Sequence, residues 1–229
     1  MPLILPFRRI LGIAPVKPGS VSYASVGTYT FIVPRYRSLF VDVYGAGGGG
    51  GGAAYYYDTY NYATGGVQYG QGVGGASGAI PGYVYYEGQA GNGGGYSQFY
   101  LGGYYQVIGY GGAGGAGLTW FNSSFQSYSP QVSGAGSAGG GDANIAGGGA
   151  GPGTYGYTQS YSPQVGGYTW TYGNYGGYGG RAYRTFTAGQ LPIGSAVTVV
   201  VGQGGAPGWQ YTSTSATYGG NGVVNISWS

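Results

Sequence analysis

Hydrophobic and polar residues alternate most clearly near the two ends of the chain. In the N-terminal part, residues 28–33 (TYTFIV) are rich in β-branched and aromatic residues and end at Pro34. In residues 39–44 (LFVDVY) the odd-numbered positions are aliphatic, whereas the even-numbered positions are aromatic or acidic. Because successive side chains of a strand point to opposite faces, both stretches predict β-strands separated by a short turn.

The same alternation returns near the C-terminus. A Pro/Gly turn precedes residues 196–201 (AVTVVV), and residues 223–228 (VVNISW) place apolar residues at every second position. No segment has an apolar period of 3.6 residues, and each Gly inside a helix would cost about 1 kcal/mol. The pattern therefore predicts an all-β fold, with strands at both ends of the chain and essentially no helix.

Between these strands, residues 45–180 form a body that alternates glycine blocks with aromatic inserts. The chain has 58 Gly and 29 Tyr among 229 residues. Glycine segments without Cβ atoms can pack side by side as three-residue-per-turn helices, so we predict either polyglycine II-like packing or a sandwich with long Gly/Tyr loops. One insert sequence, QSYSPQV, occurs at residues 126–132 and again at 159–165, which indicates duplicated loops.

Glycine-rich composition is also typical of disordered, low-complexity chains. Such chains are poor in aromatic residues and rich in charge, whereas here aromatic residues make up 17% and charged residues 5%. We therefore predict an ordered domain over residues 21–229, with first strands at 21–44, the body at 45–180 and closing strands at 181–229.

Positive charge is concentrated at the N-terminal end. The formal net charge is +3, and five of the seven basic residues lie in the first 37 positions. Prolines at positions 2, 6, 15 and 18 disfavour a helix, so residues 1–20 are predicted to be an extended arm that docks on another subunit. The candidate docking residues are Leu3, Ile4, Leu5, Phe7, Arg8 and Arg9.

This arm does not have the charge order of a secretory signal peptide, and no apolar run is long enough to span a bilayer. The charge balance is too weak to predict nucleic-acid binding. We therefore expect neither membrane insertion nor a nucleic-acid partner.

The chain offers few residues for catalysis. His and Cys are absent, which removes the usual proton shuttle, the catalytic triads and most transition-metal sites. The four carboxylates, Asp42, Asp58, Glu87 and Asp142, lie in four separate segments. We therefore predict no catalytic residue, no metal site and no cofactor.

The aromatic inserts have the composition of recognition loops. Tyr and Trp provide large, rigid contact areas with a polar tip, and they combine well with Gly, Ser and Asn. An alternative is that these aromatic residues only cover the glycine scaffold. The candidate contact residues are Tyr55, Tyr56, Tyr57, Tyr60, Tyr85, Tyr86, Tyr104, Tyr105, Trp120, Phe121, Trp170, Tyr172, Tyr175 and Trp209.

Three ordered motifs carry a family resemblance. The segments FIVPRYRSLFVDVYGAGGGGGG, AVTVVVGQGGA and GGNGVVNISW occur in this order over residues 28–229. The chain resembles the glycine-rich domain of bacteriophage tail-fibre and other virion proteins. Its alternation of glycine blocks with aromatic inserts is similar to the tip adhesins of T-even phages, in which glycine motifs form packed polyglycine helices and the inserts bind the host receptor. Those adhesins have a long attachment domain before the glycine motifs, whereas here the first block begins at Gly45.

The resemblance implies a non-enzymatic structural or host-contacting protein of the virion, made in the host cytoplasm without a signal peptide. Its implied partners are other virion proteins through the arm, a host-surface glycan or outer-membrane protein, and copies of itself in a homo-oligomer. Two alternatives remain: a capsid decoration or head-fibre protein with a purely structural role, and a self-assembling Gly/Tyr-rich extracellular matrix protein.

Overall fold

A computed structural model describes residues 15–52, 90–103, 105–117, 132–155, 173–208 and 216–229, together with the backbone of five short strands outside these ranges. These residues contain β-strands and no helix, which confirms the all-β prediction for the described part. The strands, in chain order, are β1 (Gly19–Tyr23), β2 (Gly27–Ile32), β3 (Ser38–Tyr44), β4 (Tyr55–Asp58), β5 (Ala79–Ile80), β6 (Tyr83–Tyr86), β7 (Ser97–Leu101), β8 (Tyr105–Gly109), β9 (Ala138–Gly139), β10 (Ala143–Ile145), β11 (Tyr157–Ser162), β12 (Gly167–Tyr172), β13 (Arg181–Thr187), β14 (Ala196–Val201) and β15 (Val223–Trp228).

Ten of these strands form two five-stranded antiparallel sheets. Sheet A has the order β1-β15-β3-β13-β10, and sheet B has the order β2-β14-β7-β8-β9. The edge strands of the two sheets are connected: the chain passes from sheet A to sheet B between β1 and β2, and from sheet B to sheet A between β9 and β10 at the opposite edges. The predicted arm of residues 1–20 therefore overlaps the fold, because β1 begins at Gly19.

The inward faces of the two sheets form one hydrophobic core, which we call the sandwich core. Leu39, Val41 and Val43 are fully buried on β3, as the alternation predicted. Val224 and Ile226 of β15 are buried beside them. The strand prediction is therefore confirmed in both the position and the orientation of these residues.

One aromatic insert was assigned wrongly. The sequence YSQFYLGGYYQVIGY (residues 96–110), one of the aromatic inserts predicted to be loops, contains the whole β7–β8 hairpin of sheet B. Phe99 and Val107 of this hairpin are fully buried in the sandwich core. Tyrosines on both faces of the hairpin hid its alternation, and its turn contains Gly103 at a φ of 77°, a backbone conformation that favours glycine.

Strand direction gives the sandwich two distinct ends. The registers place the loops 33–37 and 188–195 at one end, together with the residues that lead into β1, and we call this the proximal end. At the opposite end of the sandwich, glycine segments extend directly from the strands. The exposed basic residues Lys17, Arg35 and Arg37 lie at the proximal end.

The segment that follows β3, residues 45–52, is buried along its whole length and is surrounded by other glycine segments. Each N–H from Gly45 to Gly51 donates to a carbonyl of another segment, with N···O distances of 2.8 to 3.1 Å. N–H groups three residues apart donate to the same neighbour, and this is the period of the polyproline II helix. Residues 45, 48 and 51 donate to residues 180, 177 and 174; residues 46 and 49 to 95 and 92; and residues 47 and 50 to 220 and 217.

The carbonyl groups of this central segment follow the same period with three further neighbours. Residues 112 and 115 donate to the carbonyls of residues 46 and 49, residues 150 and 153 to those of 45 and 48, and residues 205 and 208 to those of 47 and 50. The central segment therefore has six neighbours. Three run parallel to it and accept nothing from it, whereas the three that accept its N–H bonds run antiparallel.

The six neighbours also bond to one another and close a ring. The ring order is 90–95, 110–117, 173–180, 149–154, 216–222 and 202–208, with antiparallel backbone bonds between all neighbours, including the last and the first. An eighth segment, 132–137, lies outside the ring between 110–117 and 173–180. We call these eight segments the glycine bundle. A three-residue period of bonds is the pattern expected of polyglycine II-like packing, and the same chain also forms a β-sandwich.

Steric contacts explain why glycine is required in the bundle. A Cβ atom placed on Gly48 would overlap the carbonyl of Ala113, and one placed on Gly51 would overlap that of Ala116. In the ring segment 110–117, by contrast, Tyr110, Ala113 and Ala116 point to solvent at every third position, and glycines lie between them. The central segment has no outward face, whereas each ring segment has one.

Candidate functional site

The glycine bundle consists of four excursions from the sandwich. Each excursion leaves a strand, runs outward and returns to another strand. The outward segments follow β3, β8, β10 and β14, and the returning segments precede β7, β9, β13 and β15. The four sequences that connect outward and returning segments are residues 53–89, 118–131, 156–172 and 209–215, and we call them the inserts.

All four inserts start and end at the end of the bundle that is far from the sandwich, which we call the distal end. The Gly51 N–H donates to the Asn174 carbonyl, and the Gly50 N–H donates to the Thr217 carbonyl. Asn174 and Thr217 therefore lie beside the last residues of the central segment, at one level along its axis. Gly208 donates to the carbonyl of Gly50 at the same level. The fold therefore gathers four sequences that are far apart in the chain at one end, opposite the basic proximal end.

The inserts differ in composition from the rest of the chain. They contain three of the four tryptophans and two of the four carboxylates, Asp58 and Glu87, but no Lys or Arg. Within them, β4, β5 and β6 pair into a three-stranded sheet and β11 pairs with β12, with β11 lying beside β4. The first and third inserts are therefore neighbours at the distal end.

Most candidate contact residues belong to the inserts, and only part of their structure is described. For seven of them the backbone lies in strands β4, β6 or β12: Tyr55, Tyr56, Tyr57, Tyr85, Tyr86, Trp170 and Tyr172. Tyr60, Tyr104, Trp120, Phe121 and Trp209 lie outside the described residues, as do the arm residues Leu3, Ile4, Leu5, Phe7, Arg8 and Arg9.

Two candidates have described side chains, and they lie in different regions. Tyr105 is half-buried against the sandwich core, where its ring meets the Phe186 ring edge-on at 5.3 Å and lies 4.8 Å below the Arg184 guanidinium. It begins β8 at the proximal end, so it is not grouped with the inserts. Tyr175 lies at the distal end and packs edge-on against Tyr155 at 4.7 Å. The role of either residue in partner binding remains a prediction.

The distal rim also contains polar residues that the sequence did not single out. The hydroxyls of Thr154 and Thr217, on two neighbouring ring segments, are 2.9 Å apart, and the Thr217 hydroxyl also accepts from the Thr154 N–H. Asn92 is exposed at the corresponding level of another ring segment. Their only sequence signal is that each occurs where a glycine block meets an insert.

The described carboxylates have structural partners. Asp42 is almost fully buried and accepts two hydrogen bonds from Arg181, at 2.9 and 2.8 Å, and one from the Tyr44 hydroxyl at 2.9 Å. The hydrogen bond with Asp42 raises the pKa of Arg181, so this guanidinium stays charged. Burial, and then the hydrogen bond to Asp42, raises the pKa of Tyr44. Asp142 accepts from the Thr185 N–H at 2.8 Å.

Within the described ranges, no group of three or more acidic residues, His or Cys is placed to hold a metal ion. The same ranges contain no helix that is long and apolar enough to cross a bilayer. Comparisons with family models, curated proteins and solved structures find no match to this chain.

Proposed function

We propose that this protein is a non-enzymatic virion component of a bacteriophage, at a tail fibre or tail tip, that presents its inserts for host-surface recognition. The observation that carries this proposal is the common location of the inserts. Four sequences rich in Tyr and Trp leave from one end of a hydrogen-bonded scaffold. Recognition loops are typically placed in this way, on a rigid framework that keeps its structure when the sequences of the loops change.

The different charge of the two ends supports an orientation in which the proximal end faces the virion and the distal end faces the host. Lys17, Arg35 and Arg37 are exposed at the proximal end, from which the predicted docking arm also leaves. The inserts carry no basic residue. The proximal end would contact other virion proteins, and the distal end would contact a host glycan or outer-membrane protein through aromatic stacking and hydrogen bonds. Because such binding uses little charge, it should depend weakly on salt.

The first test locates the protein by electron microscopy, on purified particles labelled with an antibody against residues 120–180. Label at a fibre or tail tip is the expected result. Label distributed over the head would contradict the proposal and would favour the capsid decoration alternative.

The second test is a triple variant in which the insert tryptophans Trp120, Trp170 and Trp209 are all replaced by Ala. We expect loss of adsorption to host cells with an unchanged unfolding temperature, since the described sandwich core is built mainly from residues of the two five-stranded sheets. The matched control is Tyr100→Ala, which removes an exposed aromatic side chain from the sandwich and should leave adsorption intact. Normal adsorption of the folded triple variant would contradict recognition by the inserts.

A further inference from the structure

The outer face of sheet A contains a groove that the proposed function does not use. It is lined by Ser20, Val21, Ser22, Phe40, Asn225, Ile226 and Ser227, and its volume is about 250 Å³. The groove lies on the sandwich, away from the distal end where the inserts begin.

The groove results from the choice of side chains on neighbouring strands. The registers align Ser20 of β1 with Ser227 of β15, and Ser227 with Phe40 of β3. Small side chains therefore cover β1 and β15, whereas β3 carries a large ring. Phe40 is 36% exposed, and the centroid of the Tyr183 ring lies 5.9 Å from that of the Phe40 ring, so an aromatic wall borders a floor of hydroxyl groups.

Polar groups in the groove are fixed in position. The Ser22 hydroxyl donates to Oδ1 of Asn225 at 2.7 Å, which orients the amide and leaves its Nδ2 group to donate to a ligand. The hydroxyls of Ser20 and Ser227 lie on exposed residues next to this amide in the strand register. Because the backbone of these strands is held in the sheet, the polar groups and the aromatic wall are preorganised.

We propose that this groove binds a single unit of a neutral saccharide. A pyranose ring presents a C–H face that packs on an aromatic ring and hydroxyls that bond to Ser and Asn side chains. The volume is below the roughly 300 to 1,000 Å³ of sites for drug-sized ligands, which suits one sugar unit.

The charge around the groove favours a neutral sugar over an acidic or phosphorylated one. The charged residue nearest in register is Asp42, beside Asn225 on β3, and both of its oxygens accept hydrogen bonds from Arg181. None of the lining residues is charged. Anionic sugars would therefore gain no ion pair with a lining residue and would lose part of their hydration.

The test is amide-detected NMR of the full chain, titrated with methyl glycosides of glucose, galactose, mannose and N-acetylglucosamine. At least one glycoside should shift the amide signals of β1, β15 and Phe40. Phe40→Ala should weaken binding about tenfold, which corresponds to the upper part of the range for an aromatic contact. Ser227→Val, which fills the groove without removing the ring, should weaken binding as well.

The matched control is Tyr100→Ala, because Tyr100 is similarly exposed, at 40%, on the outer face of sheet B. Its affinity for the glycoside should equal that of the unmodified chain. Shifts confined to the inserts, no shifts with any glycoside, or equal binding by Phe40→Ala would overturn the groove assignment. Shifts produced only by a peptide of residues 1–14 would also overturn it, by assigning the groove to the arm. These outcomes do not depend on whether the inserts bind a host receptor.

Discussion

The β-sandwich and the glycine bundle are parts of one chain that are stabilised in different ways. In the sandwich, side chains such as Phe99, Phe186 and Leu39 are removed from water between two sheets. In the bundle, the central segment has almost no side chains, and thirteen backbone bonds join it to six neighbours, seven through its N–H groups and six through its carbonyls. A methyl group therefore stabilises the first region by filling space, whereas in the second region it would separate the backbones that bond to each other.

The largest expected effect comes from emptying the sandwich core. Phe99 is fully buried, and its ring lies 5.9 Å from that of Phe186 and 6.3 Å from that of Phe31. Phe99→Ala should lower the free energy of unfolding by about 3 to 5 kcal/mol. Denaturant unfolding would measure this, with Tyr100→Ala, the exposed neighbour, expected to change stability by less than about 0.5 kcal/mol. Similar losses for both variants would show that β7 is not part of a packed core.

The second effect comes from adding one methyl group to the bundle. Gly48→Ala places a Cβ against the Ala113 carbonyl, and because both atoms belong to bonded backbone segments, we expect a loss of about 3 kcal/mol or more.

Gly151→Ala is the matched control for this change, because no atom lies within 4 Å of a Cβ at that position. It should be neutral, or stabilising by up to about 1 kcal/mol, since alanine restricts the unfolded chain. Thermal unfolding of the two variants compares them directly. Equal tolerance at positions 48 and 151 would mean that residues 45–52 do not lie between bonded neighbours.

A smaller effect is expected at the junction of the two regions, where Arg181 begins β13 directly after a bundle segment. Asp42→Asn keeps the shape of the side chain but removes the charge that pairs with Arg181, whose side chain is about one-third exposed. We expect a loss of about 2 kcal/mol, in the range for hydrogen bonds to charged groups. Asp142→Asn, which changes an exposed carboxylate, should cost less in the same unfolding experiment. The reverse order would contradict the structural role of the buried pair.

The smallest expected effect is a loss of stability at alkaline pH, caused by the ionisation of Tyr44. The pKa of Tyr44 is raised in the folded protein, first by burial and then by Asp42. The folded state therefore holds this proton more tightly than the unfolded state, so the stabilisation is complete below the ordinary tyrosine pKa of about 10 and is lost as pH rises through the raised folded pKa. Unfolding of Tyr44→Phe between neutral and alkaline pH should show a shallower decline than the unmodified chain. An identical decline would mean that Tyr44 ionises as it does in the unfolded state.

The sequence predicted the sandwich strands well where side chains alternate between core and solvent. Leu39, Val41 and Val43 are an example, because burial on one face fixes both strand and register. It failed at the β7–β8 hairpin, where tyrosines occur on both faces and the apolar period is lost. Residue type alone does not separate the inserts from the sandwich, because Tyr105, one of the fourteen contact candidates, packs on Phe186.

The bundle carries a sequence signal of its own. Two of the ring segments repeat one larger residue followed by two glycines, YGGAGGAG at residues 110–117 and YGGYGG at 175–180, because one position in three points away from the central segment. The central segment, GAGGGGGG at residues 45–52, has no such position. The repeat of three distinguishes these two ring segments from the central segment, but it does not specify which ring segments are neighbours, since that depends on the order in which the strands pair.

Amide hydrogen exchange of residues 45–51 tests the account most directly, because the position of the inserts depends on this central segment. All seven N–H groups donate to other segments, so they should exchange as slowly as the amides of β3, through global unfolding. The exposed glycines 102 and 103 in the β7–β8 turn provide the fast reference within the same sample. Slow exchange across residues 45–51 would support a bonded scaffold that holds the inserts at one end. Exchange as fast as in that turn would contradict the bundle and, with it, the proposal that the four inserts are presented together.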